Sequence, residues 1–101
     1  MDIALGLVNL CISESETADR AALAELAAAH NCVLRGVVTI DTDTFMPTTL
    51  ITHTAHTIRA AIILAPNLAH FGTATKALTL ACTLVVPHHV IPRIPGWTPY
   101  R

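Results

Sequence analysis

No run of lysine or arginine occurs anywhere in this sequence, and charge of either sign is sparse: six basic and seven acidic residues among 101, for a formal net charge of −1. A chain that neutralises a phosphate backbone needs a clustered basic surface, so unaided binding to nucleic acid is not expected. Glycine is equally scarce, at four residues. None has the spacing of a dinucleotide fingerprint or a P-loop, Gly6 being alone and too early. Cys11, Cys32 and Cys82 form no C-x-x-C pair and lie far apart, which favours reduced thiols over a disulfide framework. The histidines supply no H-E-x-x-H and no mixed Cys/His pattern. His53 and His56 stand three apart, while His88 and His89 are adjacent and point opposite ways in an extended segment. No metal and no cofactor is therefore expected. No apolar run reaches the ~20 residues of a spanning helix, and Asp2 stands where a signal peptide carries basic charge. A cytoplasmic location without membrane attachment is the expectation.

What the chain does have is apolar residues, 52% of the total, in a length that suits one domain burying roughly two thirds of its unfolded surface. Residues 3–12, IALGLVNLCI, are apolar nearly throughout, as in a strand covered on both faces. Ser13 and Glu16 have the spacing of a capping box, with Asp19 adding favourable charge, and predict a helix to about His30, where Asn31 offers a left-handed stop. Ala18, Ala22, Leu23, Leu26 and Ala27 recur at three- and four-residue steps and give that helix its buried face. Residues 32–40, CVLRGVVTI, form a second, β-branched run. Pro47 suits the first turn of a helix over 48–60, although the threonines between 39 and 57 weaken its propensity and have no evident mechanism. Residues 61–65 predict a third strand and 67–72 the loop at its mouth. Thr73 predicts the cap of a helix reaching 82, and residues 84–86 a fourth strand.

The order βαβαβαβ predicts an α/β fold: a three-layer sandwich with a short parallel sheet of three to four strands, the first strand central, joined by right-handed crossovers. Residues 1–86 make up that domain. Residues 87–101 form a proline-rich C-terminal tail, since Pro87, Pro92, Pro95 and Pro99 forbid a long helix. Sites in such folds lie where the strands end. Cys11 falls near the end of the first strand and His70 at the mouth of the third, a pair that could act as thiolate and imidazolium. The apolar neighbours Leu10 and Ile12, with Glu14 and Glu16 following, predict instead a buried and slowly reacting Cys11.

Gly6, Asn9 and Cys11 on the first strand, Met46 before Pro47, and Leu68, His70, Gly72 and Thr73 after the third are spaced as in one known family. Over residues 3–86 the chain resembles the catalytic domain of the serine recombinases, the resolvase and invertase family. The family's G-Y-x-R-x-S becomes Gly6, Leu7, Val8, Asn9, Leu10, Cys11 here. Its arginine before proline becomes Met46, and its L-D-R-L-G-R-S becomes Leu68, Ala69, His70, Phe71, Gly72, Thr73, Ala74. The resemblance implies a resolvase-like domain that has lost its catalytic groups, with Asn9, Cys11, Met46, His70 and Thr73 marking a vestigial pocket. A serine attacking a phosphodiester needs cations at the non-bridging oxygens. Arg35 and Arg59 fall instead near the amino ends of strands, while Arg20 and Lys76 do not rebuild the cluster. The family's long helix after the last strand, and its helix-turn-helix domain, have no counterpart in the expected elements.

The reading that follows is a catalytically inactive interaction or assembly module with an unknown protein partner. Self-association as a dimer is expected through the last helix and the tail at Ile91, Ile94 and Trp97, because the apolar content exceeds what one core of this size encloses. Two other readings stay open. One is a small cysteine-dependent enzyme using Cys11 with His70 or Asn9. The other is a ligand-binding regulatory domain with its pocket among Asn9, Asp41, Asp43 and His70.

Overall fold

The computed structural model describes residues 2–93. Strand β1 (Asp2–Asn9) leads to α1 (Glu16–Ala29), β2 (Cys32–Ile40), α2 (Pro47–Thr57) and β3 (Ile62–Leu64). A 3₁₀ segment (Leu68–Ala74), α3 (Thr75–Thr79), β4 (Thr83–Val86) and β5 (His89–Ile91) complete the order. The strands form one sheet in the order β2-β1-β3-β4-β5. The first four run parallel and β5 is antiparallel to β4. The molecule is thus an α/β fold with a mixed, five-stranded sheet rather than a parallel one of three to four strands.

The extra strand arises within the proline-rich stretch. Val86 pairs with His89 across a two-residue turn, in which proline fixes φ near −65° at Pro87 and His88 takes φ 67°, the pattern of a type II turn. Pro87 reverses the chain here instead of ending the sheet. Ile91 is half-buried and packs against the core that holds Leu84 and Val86. Ile94 and Trp97, the other expected interface residues, lie outside the described residues.

Strand β1 is buried on both sides, and its period of two divides the interior. Leu5 and Leu7 join Ile63, Leu84 and Val86 against Ile51 and Ala55 of α2 and Leu78 of α3. Ala4 and Val8 join Leu64 and Val85 against Leu23, Leu26 and Ala27 of α1. Gly6 lets α1 lie close, since a Cβ there would meet Leu23 Cδ1 at 2.7 Å. Beyond Ala4 the register of β1 with β2 slips by one residue, leaving Arg35 as a bulge on the outer strand.

Local chemistry sets the helix limits. Ser15, not Ser13, caps α1 by accepting from Ala18 N at 3.2 Å, and Asn31 ends it with φ 55°. Pro47 opens α2 as its position requires. The threonines of α2 acquire a role: the hydroxyls of Thr52, Thr54 and Thr57 donate to the carbonyls of Thr48, Leu50 and His53 at 3.0, 2.8 and 2.9 Å. The helix expected from Thr73 to 82 is only the five-residue α3, because residues 68–74 form a 3₁₀ segment that is itself kinked at Gly72, φ 57°, ψ −132°. No helix among the described residues is long and apolar enough to cross a membrane.

Candidate functional site

The strand order reverses beside β1, with β2 on one side and β3 on the other. The loops that follow β1 and β3 therefore part at their carboxyl ends, the place where open α/β sheets bind ligands. Asn9 shapes one wall. Its Oδ1 accepts from Cys11 N at 3.0 Å, and its carbonyl accepts from Ile12 N at 3.1 Å and Ser13 N at 3.0 Å. These bonds end β1 at Asn9 and turn the chain outward. Cys11 is consequently exposed, as are Leu10 and Ile12, which corrects the expectation of a buried thiol carried on a strand running through Ile12.

Asn67 shapes the other wall by accepting Ala69 N on its Oδ1 at 3.0 Å, and so caps the 3₁₀ segment where Thr73 was expected to cap a helix. The backbone of Thr73 lies within that segment, while its side chain falls outside the described residues. The segment turns His70 inward to 2% exposure. Its Nδ1 accepts the Asn9 N–H at 2.9 Å, across 61 residues of sequence. An imidazole nitrogen that accepts carries no proton, so the ring hydrogen sits on Nε2. Nε2 faces Asp19 Oδ2 at 3.9 Å, and that carboxylate accepts a hydrogen bond from Ser13 Oγ. Burial pushes the His70 pKa below its ordinary value, outweighing the upward pull of Asp19.

The imidazole therefore works as a plug. One nitrogen holds the end of β1, the other faces a carboxylate, and no hydrogen bond joins His70 to Cys11 among the described residues. The Ser13, Asp19 and His70 side chains meet with the carboxylate in the middle, whereas an activated nucleophile needs the base between hydroxyl and acid. Sequence spacing hides this cluster, because Ser13 and Glu16 imitate a capping box and draw attention from Asp19.

Beside the plug lies a cavity of about 180 Å³, lined by Asn9, Ile40, Pro47, Ile51, Phe71 and Gly72. That falls short of the roughly 300 Å³ at which small-molecule sites begin. Asp41 and Asp43 do not line it. Asp41 is spent on a turn, accepting Asp43 N at 2.9 Å and Thr44 Oγ1 at 3.2 Å. Met46 precedes α2 in a left-handed conformation, φ 49°, with its side chain 55% exposed. Arg20 is paired with Glu16 at 2.8 Å, and no three His, Cys, Asp or Glu side chains among the described residues form a group able to hold a metal.

Exposed apolar side chains also gather at this end of the sheet. Of the nine large apolar side chains exposed among the described residues, six sit here. Leu10 and Ile12 follow β1, Phe45 and Met46 precede α2, Leu50 is in its first turn and Leu68 follows β3. Phe45 is 86% exposed. Comparison with protein families, with curated proteins and with solved structures gave no match.

Proposed function

We propose that the chain is a catalytically inactive, resolvase-like domain of three layers that acts as a protein-interaction module, docking through the carboxyl end of its sheet onto a second copy of itself. The observation that carries this reading is the pairing of a plugged crevice with an apolar rim. Where a catalytic member of such a fold would gather cations and a nucleophile, this one sets Asn9, Met46 and His70. Around them it exposes Leu10, Ile12, Phe45 and Leu68 to water, and Met46 is itself exposed. Exposed apolar side chains gathered at one end of a small domain mark a surface that another protein covers. Symmetric pairing is the commonest way for a chain to cover its own.

Sedimentation at micromolar concentration tests the reading. The wild-type chain is expected to form dimers, and Phe45→Ser, which removes an exposed ring without touching the core, is expected to yield monomers of unchanged melting temperature. A wild-type monomer at every concentration would refute it. Supercoiled plasmid incubated with the protein is expected to acquire neither a nick nor a covalent protein adduct.

A further inference from the structure

The seven acidic residues all lie in the first 43 positions, and residues 44–101 contain none, although they carry Arg59, Lys76, Arg93, Arg101 and five of the six histidines. In the fold this partition follows the chain: Asp2 lies on β1, Glu16, Asp19 and Glu25 on α1, and Glu14, Asp41 and Asp43 in the loops after β1 and β2, while the described residues from α2 to β5 and their loops carry Arg59, Lys76 and Arg93 and no acid. At the amino ends of β3 and β4, away from the plugged crevice, the cationic half encloses a groove of about 560 Å³. That volume lies within the range of roughly 300 to 1,000 Å³ typical of small-molecule sites.

Arg59, Arg93 and His56 line the groove, and Ala55, Ala60 and Ala81 give it small apolar walls. No acid is among its lining residues. The Arg59 guanidinium has no hydrogen bond or ion pair among the described residues. Arg93 spends only its Nε, on the Leu80 carbonyl at 3.5 Å. Two arginines lining one cavity, with no carboxylate among its lining residues, leave positive charge there unanswered, and an oxyanion in the groove can accept charge-assisted, bidentate hydrogen bonds from such guanidinium groups. Two fixed positive charges match a dianion better than a single carboxylate, and the alanine walls leave room for an apolar body.

We infer that this groove binds a small phosphate monoester, its phosphate held between Arg59 and Arg93 and its organic part against the alanine walls. The inference stands apart from self-association, which uses the other end of the sheet. Arg59 also offers an unusually clean test. It occupies φ 58° just after α2, where glycine is at ease and a side chain is strained. Arg59→Gly therefore removes the guanidinium while relaxing the backbone.

Calorimetric titration with phenyl phosphate at neutral pH and low salt is expected to show one saturable site, tighter than for inorganic phosphate or benzoate. Arg59→Gly and Arg93→Gln are each expected to weaken it about tenfold, the loss of one charge-assisted contact, with the melting temperature of Arg59→Gly unchanged or raised. Absence of saturable binding, or equal affinity in both variants and the wild type, would overturn the site. Benzoate binding as tightly as phenyl phosphate would overturn the phosphate assignment.

Discussion

Protonating His70 means surrendering the Asn9 N–H bond at Nδ1, because a charged imidazole has two donors and no acceptor. The folded chain keeps the ring neutral, with its pKa below the ordinary 6.5. As pH falls below 6.5 the unfolded chain takes up this proton first. The stability His70 contributes is therefore complete above that value and drains away as pH descends through the lower, folded value. Denaturant titrations across this window are expected to show the decline. His70→Asn, which keeps an acceptor but does not titrate, is expected to flatten it. An unchanged slope in that variant would show that His70 is not its source. His70→Ala orphans the Asn9 amide and opens a void, at a cost of about 3 kcal/mol. Cysteine reactivity follows the same local logic. Iodoacetamide is expected to label exposed Cys11 in the folded chain and to spare Cys32 and Cys82, whose thiols burial pushes upward in pKa. Equal labelling of all three would contradict the buried placement of the latter two. Asn9 and His70 are legible in the sequence as positions of interest, but not their bond. The run IALGLVNLCI is apolar on both sides of Asn9, so its hydrophobicity cannot show that an amide side chain turns the chain there and delivers Cys11 to water.

Gly72 kinks the 3₁₀ segment from within at φ 57°, ψ −132°, and a Cβ there would meet nothing within 4 Å. Gly72→Ala therefore isolates backbone strain from packing, and is expected to lower unfolding free energy by about 1–3 kcal/mol with no change in the core. Chemical denaturation measures it, and a neutral result would mean that the kink can be rebuilt by other residues. Elements whose boundaries rest on a strong local signal are legible in the sequence. Strand β2 spans Cys32–Ile40, α2 begins at Pro47 and Asn31 ends α1, because β-branching, a fixed φ and a tolerated left-handed turn all act without distant partners. Those that depend on context are not. Strand β5 exists because β4 offers an unpaired edge to three residues beyond a Pro87 turn, and composition alone assigns those residues to a tail. The helix read over 73–82 depends on context as well: α3 spans only Thr75–Thr79, and residues 68–74, read as a loop and a cap, form a 3₁₀ segment kinked at Gly72.

The molecule carries two surfaces of different character at opposite ends of one sheet, an apolar rim where the parallel strands finish and a cationic groove where β3 and β4 begin. They respond oppositely to salt. Association through the rim draws on apolar burial, so the dimer is expected to survive high ionic strength in sedimentation, whereas contacts made by exposed arginines are screened. A dimer that dissolves in salt would point to the uneven distribution of charge as its source. The sheet also has a third feature with a different bearing. Strand β2 is nine residues long, lies at the edge and leaves Val33 exposed, a geometry that invites another chain to add itself strand by strand. Arg35 stands in its middle as a bulge, twisting the edge and planting a cation on it. Without that residue the segment reads CVLGVVTI, uncharged and β-branched, the composition from which cross-β fibres grow. Deleting Arg35 is thus expected to yield thioflavin-binding fibrils on storage where the wild-type chain yields none, an outcome that would make one irregular residue the guard of this edge against polymerisation.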